Sequence, residues 1–169
     1  MQREERFVRI RRNVEDWDDP YLNEEKPVGV LVCRECRSVF ADDRWQLEEQ
    51  AKDILKNTAH ISHCLCPACQ KIHDRIPGGV VTISGEFVKK HEEEIVRLIN
   101  NENRRAMLVN PLERIMDVGH DSNGLTVLTT NEKLAQRIGR ALYKAYRGKV
   151  DYHWSEDTKL ARVYWVRDV

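Results

Sequence analysis

The segment 30-VLVCRECRSVF-40 contains a pair of cysteines, Cys33 and Cys36, with apolar and β-branched residues on both sides. These flanks predict two short strands, and the cysteines predict a tight turn, or knuckle, between them. A second pair, Cys66 and Cys69, lies in the segment 63-HCLCPACQ-70. Because each CxxC pair lets two thiolates reach one ion, the two pairs together predict a tetrahedral four-cysteine site that organises this part of the chain.

Zinc is the metal that this arrangement favours. Four thiolate ligands leave no open position for water, so we expect a structural Zn²⁺ ion whose binding is coupled to folding. Two alternatives stay open. A rubredoxin-type iron centre would carry one electron, although Arg37 and Gln70 follow the knuckles where a rubredoxin normally has glycine. A reversible dithiol switch is the other alternative.

Cys64 is a fifth cysteine beside the second pair, with His60 and His63 near it in the sequence. One interpretation is a small side chain packed next to the knuckle, which is the more common situation for a free cysteine. The other interpretation is an alternative ligand or a redox-sensitive thiol close to the metal.

The pattern of apolar residues and turn signals divides the chain into three segments. Within the segment that holds the cysteines, Asp42 or Asp43 is expected to cap a helical insert that runs to about Asn57. The three segments are a charged N-terminal arm (1–27), a zinc-ribbon module (28–79) and an α+β domain (80–169).

The third segment alternates strands and helices in the order β-α-β-β-α-β-β. Its first six elements match the split βαβ pattern of ferredoxin-like domains, in which an antiparallel sheet carries both helices on one face. The additional C-terminal strand is predicted at an edge of the sheet or in a terminal hairpin. The predicted strands are 80–84, 112–118, 125–130, 150–155 and 160–167, and the predicted helices are 86–101 and 131–147.

The charges are strongly segregated, although 28 basic and 28 acidic residues give a formal net charge of zero. Residues 1–12 are rich in arginine, residues 13–25 are acidic, and residues 131–149 contain six basic residues and one acidic residue. Poles of this kind indicate surface patches with different partners.

The predicted helix 131–147 has a basic stripe. Five basic residues follow one another at steps of four, three, four and three, which places them on one side of a helix. They are Lys133, Arg137, Arg140, Lys144 and Arg147. A stripe of one sign is typical of surfaces that bind phosphate backbones, because each neutralised phosphate releases a counterion. The sequence therefore predicts binding of structured RNA, with a merely soluble face and an acidic protein partner as alternatives.

Two other features bear on RNA binding. The arginine-rich arm supports it, since basic tails often become ordered on RNA, whereas the acidic run behind the arm could fold back and screen the basic helix. Tyr152, Trp154, Tyr164 and Trp165 lie on the last two predicted strands. Aromatic residues on strands are more often part of a core, but these could stack on bases from an open sheet face.

The sequence contains no motif for catalysis or nucleotide binding: it has no phosphate loop, GxGxxG turn, GxSxG elbow or HExxH pair. We therefore predict that the protein is not an enzyme and uses no nucleotide cofactor. No apolar run reaches the roughly 18 residues that a membrane span needs, and none follows the charged N-terminus as in a signal peptide. The expected location is the cytoplasm, where cysteines bind metals more often than they form disulfides.

Several segments together carry a family resemblance that covers most of residues 19–165. They are Asp19-Pro20-Tyr21, Cys33–Cys36, Cys66–Cys69, Ile76–Val80, His91–Asn101, Asn110–Ile115 and Thr129–Gly148. The chain resembles a small bacterial zinc-ribbon family that is described as similar to a ribosome-export adaptor of the nonsense-mediated-decay type. The resemblance implies the four cysteine ligands and an association with the ribosome that affects ribosome stability under stress. It implies no catalytic residues, and the adaptor's export role does not transfer because this chain has one knuckle pair only.

Overall fold

Residues 29–169 are described by the structure, a computed structural model, and they form a mixed α+β protein with two mixed sheets and four helices. The predicted arm, 1–27, and the acidic run, 13–25, lie outside these residues. The strands are β1 (Val30–Cys33), β2 (Val39–Ala41), β3 (Arg44–Gln46), β4 (Ile61–Cys64), β5 (Gly79–Ser84), β6 (Ile115–Asp121), β7 (Gly124–Thr129), β8 (Lys149–Trp154) and β9 (Ala161–Val166). The helices are α1 (Lys52–Asn57), α2 (Pro67–Asp74), α3 (Glu86–Val109) and α4 (Glu132–Tyr146).

The first sheet has the strand order β3-β2-β1-β4 and carries the cysteines. Its β1 and β4 strands pair in parallel, whereas β1–β2 and β2–β3 are antiparallel. Its own core is small. The buried members are Val32, Val39, Ala41 and Ala51, with Val30, Ile54, Leu55 and Ile61 packed around them.

The predicted helix from Asp42 or Asp43 to Asn57 is wrong in its first part. Asp42 and Asp43 have φ angles of 52° and 62° and form the two-residue turn between β2 and β3, where Ala41 pairs with Arg44. Short hairpins of this kind need positive φ at both turn residues, and aspartate tolerates that conformation better than most residues. The helix therefore begins only at Lys52.

Two elements around the second cysteine pair are absent from the sequence prediction. Strand β4 lies just before Cys66, and helix α2 begins directly after it at Pro67. Proline is favoured at the first position of a helix because its missing N–H is not needed there. The end of α2 is a left-handed residue, Arg75, with a φ angle of 54°.

The second sheet has the order β6-β7-β5-β9-β8 and is mixed, so the predicted antiparallel sheet is corrected. The last strand, β9, pairs in parallel with β5, from Gly79 opposite Ala161 to Ser84 opposite Val166. Strand β8 forms the terminal hairpin with β9 and lies at the edge. The alternating burial of β9, which places Val163 and Trp165 in the core, explains why this strand occupies the interior position.

The main core lies between this sheet and the helices α3 and α4. Val81 and Ile83 of β5, like Val163 and Trp165 of β9, face a single cluster to which both helices contribute. The helical members of the cluster are Val88, Ile95, Ile99, Ala106, Leu134, Ala135, Ile138 and Leu142. Both helices thus pack on one face of the sheet.

The two long helices differ from the prediction in length rather than in place. Helix α3 continues to Val109 and has one non-helical residue, His91, with φ −125°. Helix α4 is capped by Asn131, whose side chain accepts a hydrogen bond from the Leu134 N–H at 3.1 Å. Among residues 29–169, no helix combines the length and the apolar character needed to cross a bilayer.

Candidate metal centre

The parallel pairing of β1 with β4 brings the two cysteine pairs together. Cys33 is the last residue of β1, and Cys36 lies in the turn that leads into β2. Cys66 caps the N-terminus of α2, and Cys69 lies in its first turn. Because Cys33 is in register with Cys64 at the end of β4, the second knuckle begins next to the first.

The four sulfur atoms have the spacing of a tetrahedral metal site. Sγ atoms of Cys33, Cys36, Cys66 and Cys69 all lie within 4.8 Å of one another, and none of the four cysteines forms a disulfide. The Cys33–Cys69 distance is 3.8 Å and the Cys36–Cys66 distance is 3.6 Å. Zinc–sulfur bonds of about 2.3 Å in a tetrahedron separate the sulfurs by about 3.8 Å. The residues present therefore fit a metal ion.

Backbone and hydroxyl groups around the cluster favour thiolate ligands. The Cys66 N–H donates to Cys33 Sγ at 3.3 Å, and the Cys69 N–H donates to Cys66 Sγ at 3.4 Å. The Ser38 hydroxyl oxygen lies 3.2 Å from Cys36 Sγ. The N-terminus of α2 also directs its positive end at the second pair. These contacts spread the negative charge that four thiolates bring.

Arg114 is a further member of the site that the sequence does not predict. Its Nη2 atom lies 3.3 Å from Cys66 Sγ and 3.2 Å from Cys69 Sγ, and its buried Nε atom has no hydrogen-bond partner among the described residues. The Arg114 backbone is held on both sides by Thr130: its N–H donates to Thr130 Oγ1, and its carbonyl accepts from the Thr130 N–H, both at 2.9 Å. A four-thiolate site with a divalent ion carries a net charge of −2, which this guanidinium partly balances.

The pKa values of the cluster are set mainly by sulfur–sulfur contact and by burial. The hydrogen bond with Cys66 lowers the pKa of Cys36 to about 4, and the same contact raises the pKa of Cys66. Burial raises the pKa of Cys69. Burial also opposes the charge of Arg114, but the hydrogen bond to Cys69 and the nearby thiolates raise its pKa above the ordinary value. The arginine is thus a permanent cation against the sulfurs.

Cys64 lies outside the four-sulfur cluster, as do its two neighbouring histidines. It is half-buried at the end of β4, and burial, followed by the charge of Cys33, raises its pKa. His60 and His63 are exposed. In residues 29–169 these three side chains join no metal-ligand group, so the structure places them beside the centre and not in it.

Only some of the five residues of the predicted basic stripe form an exposed positive surface on α4. Arg137 Nε donates to Glu102 Oε2 at 2.7 Å across the α3–α4 contact, so its charge is paired. Arg147 follows the end of α4 with φ 58°, and its guanidinium lies over the Tyr143 ring. Lys133, Arg140 and Lys144 are exposed on the helix itself. The position of Arg137 on the stripe does not reveal that it pairs with an acidic residue on another helix. No sequence feature of Glu102 indicated that it would be this partner.

Comparisons with protein-family models and with curated proteins find no match to this chain. The family resemblance seen in the sequence stays a prediction. The feature that characterises the chain is therefore its own cluster of four cysteines, which is able to hold one metal ion.

Proposed function

We propose that this chain is a non-enzymatic zinc-binding protein of the cytoplasm. It binds structured RNA or the ribosome through the basic surface of α4. The zinc ion is structural: the four cysteines would hold it, and it would fix the fold of the first module without taking part in a reaction. The ribosome is the partner that the sequence resemblance implies. The observation that carries the proposal is the exposed positive charge on and just after α4, for which residues 29–169 provide no ion-pair partner within 4.0 Å.

That charge is concentrated on four residues. They are Lys133, Arg140, Lys144 and Arg147, all exposed. None of the four makes an ion pair with a carboxylate in residues 29–169, whereas most of the other helical surface in this range mixes signs, as in the pairs Lys89–Glu86 and Arg97–Glu93. Like charges one turn apart cost about 0.2–0.5 kcal/mol per pair, so a stripe of one sign is more readily explained by an anionic ligand than by stability.

The test is co-sedimentation with ribosomes and RNA binding across a salt series, using zinc-loaded protein. The variant Lys133→Glu/Arg140→Glu/Lys144→Glu is expected to lose co-sedimentation. Each phosphate contact that is removed should reduce the slope of log K against log salt by about 1. Arg137 is left unchanged because reversing it would place two carboxylates together at Glu102 and disturb the fold.

The matched control is Lys56→Glu/Lys90→Glu/Arg104→Glu, which changes the net charge equally at exposed helical positions away from the stripe. The control should co-sediment like the unaltered protein. Equal binding by the stripe variant, or equal loss by the control, would contradict a specific role for α4.

Metal analysis of the same preparation separates this function from its competitors. An electron-transfer protein needs iron and would be coloured, whereas a zinc-loaded protein is colourless. A zinc-dependent protein-interaction module would keep the zinc but bind its partner with little dependence on salt. A colourless protein with a steep salt dependence is the result expected here.

A further inference from the structure

The edge strand β8 presents two aromatic side chains beside the basic surface of α4. Tyr152 and Trp154 are cross-strand partners of Val163 and Ala161, which are buried on the helix-bearing side of the sheet. Tyr152 and Trp154 therefore point to the same side as α4. They nevertheless remain 39% and 48% exposed, because β8 is the outermost strand and no element of residues 29–169 pairs with its other edge.

Tyr152 lies directly against α4. A Cβ atom at Gly139 would be 3.2 Å from both Cε1 and Oη of Tyr152, so the tyrosine ring lies close to the helix backbone at that position. Burial against the helix raises the pKa of the phenol, and the positive charge of the next residue, Arg140, partly offsets this rise. Lys144 follows one turn later on the exposed side of α4. The Tyr152 ring and the cation of Arg140 are thus neighbours.

The other two aromatic residues of the terminal hairpin do not belong to this surface, which corrects the idea of a single stacking platform. Trp165 is fully buried, and its Nε1 donates to the Arg147 carbonyl at 2.7 Å. Tyr164 alternates to the opposite face of the sheet, where its ring lies 5.5 Å from that of His153. Of these four aromatic residues, only Tyr152 and Trp154 are both exposed and on the face of the sheet that carries α4, and Tyr152 lies against the helix.

Exposed aromatic rings next to cations are the arrangement that binds unpaired nucleotides: the rings stack on bases while the cations neutralise phosphates. A protein strand adding to the β8 edge is less favoured, because Lys149, Asp151 and His153 project exposed polar groups along the strand. We propose that Tyr152 and Trp154 stack on single-stranded bases of an RNA whose phosphates follow Arg140 and Lys144. This inference rests on the proposed function and specifies its ligand, a structured RNA with an unpaired extension.

The experiment compares two fluorescein-labelled RNAs by anisotropy with zinc-loaded, full-length protein: a blunt hairpin, and the same hairpin with an eight-nucleotide 3′ oligouridine tail. The unaltered protein is expected to bind the tailed RNA more tightly. Trp154→Leu should reduce the affinity for the tailed RNA by about fivefold or more, as expected for the loss of one stacked base, while the affinity for the blunt hairpin stays unchanged.

Three controls make the outcome decisive. Tyr164→Leu removes an equally exposed aromatic residue from the opposite face and should change neither affinity. Tyr152→Leu should act like Trp154→Leu, and circular dichroism of each variant verifies the fold. A tail preference that is absent in the unaltered protein, that survives Trp154→Leu, or that is lost in Tyr164→Leu instead would overturn the stacking surface.

Failure of the proposed function gives a different result. If Arg140→Glu/Lys144→Glu leaves the affinity for the blunt hairpin unchanged, the basic surface is not the RNA-binding element. This conclusion holds whether or not the protein binds the tailed RNA more tightly. If the unaltered protein binds neither RNA, both proposals fail.

Discussion

At the level of single residues, the cluster of four cysteines could be predicted from the sequence, because the spacing of each pair suits two sulfurs at one ion. Arg114 could not. It is separated from Cys69 by 45 positions and belongs to the segment that enters β6 in the other sheet. Its role arises only from the way that the two halves of the chain meet, and an isolated arginine after Pro111 has no signature of a metal-site neighbour.

Replacing Arg114 by methionine should weaken metal retention. The change removes the donor to Cys66 and Cys69 while keeping a long side chain in the same space. Outer-shell partners of metal ligands typically contribute about 10–100-fold to metal affinity, so we expect a loss of that size in competition with a colorimetric zinc chelator. Arg104→Met, at an exposed position of α3, is the control. Unchanged zinc affinity in Arg114→Met would mean that the arginine only fills space.

Cys64 and Cys36 should respond differently to replacement by serine. Cys36→Ser removes one of four ligands and should lower the zinc content and the folded fraction, because zinc binding contributes on the order of 10 kcal/mol to folding in small zinc modules. Cys64→Ser should retain one zinc per chain, since Cys64 lies outside the cluster. Elemental analysis after dialysis measures both. Loss of zinc from Cys64→Ser would restore the idea of an alternative ligand.

At the level of elements, apolar periodicity predicted the second half of the chain better than the first. The β5–α3–β6–β7–α4 series follows the expected order, because its strands and helices are long enough to show their periods. The three-residue strands β2 and β3 are too short for that, and the Asp42-Asp43 turn resembles a helix cap in sequence. The positive φ angles of Asp42 and Asp43 make this segment a turn and not a helix cap. The residue types alone do not determine which of these two backbone conformations forms.

Gly139 shows how closely α4 approaches the sheet. Alanine is normally better than glycine inside a helix by about 1 kcal/mol. Here a Cβ would lie 2.6 Å from Val163 Cγ1, and overpacking of this kind costs about 1–3 kcal/mol. With Tyr152 also in contact, we expect Gly139→Ala to reduce the free energy of unfolding by on the order of 1 kcal/mol in thermal or urea denaturation.

A double-mutant cycle identifies the cause. Val163→Ala should cost less in the Gly139→Ala background than in the unaltered protein, because the smaller side chain removes the clash. A more stable Gly139→Ala protein, as at an open helix position, would show that α4 can move away from β9 without cost.

At the level of the whole molecule, the two sheets are stabilised in different ways. The second sheet and its helices bury a continuous apolar cluster that includes Trp165 of β9 and eight side chains of α3 and α4. These eight are Val88, Ile95, Ile99, Ala106, Leu134, Ala135, Ile138 and Leu142. The apolar cluster of the first sheet has only four buried members, all with small or medium side chains. Such a core is too small to offset the conformational entropy of its residues, so we expect a metal ion bound by the four cysteines to supply the difference.

Removal of zinc should therefore unfold the first module and leave the second. In hydrogen exchange with a strong chelator, β1, β2 and β4 should lose protection, whereas β5, β7 and β9 should keep it. Chelator saturated with zinc is the control, and added zinc should restore protection. Unchanged protection of the first sheet would mean that the metal is dispensable for the fold.

Strand β9 is synthesised last but occupies an interior position in the sheet, between β5 and β8. It pairs with β5, which is the first strand of this sheet in the sequence. It also pairs with β8, which has no other strand partner in residues 29–169. During translation the sheet cannot close until Ala161–Val166 have emerged, since the gap beside β5 has no other occupant. A premature stop codon before Ala161 would thus remove an interior strand of the sheet and leave β8 without a partner. The truncated product would expose β5 and the apolar side of α4 to degradation.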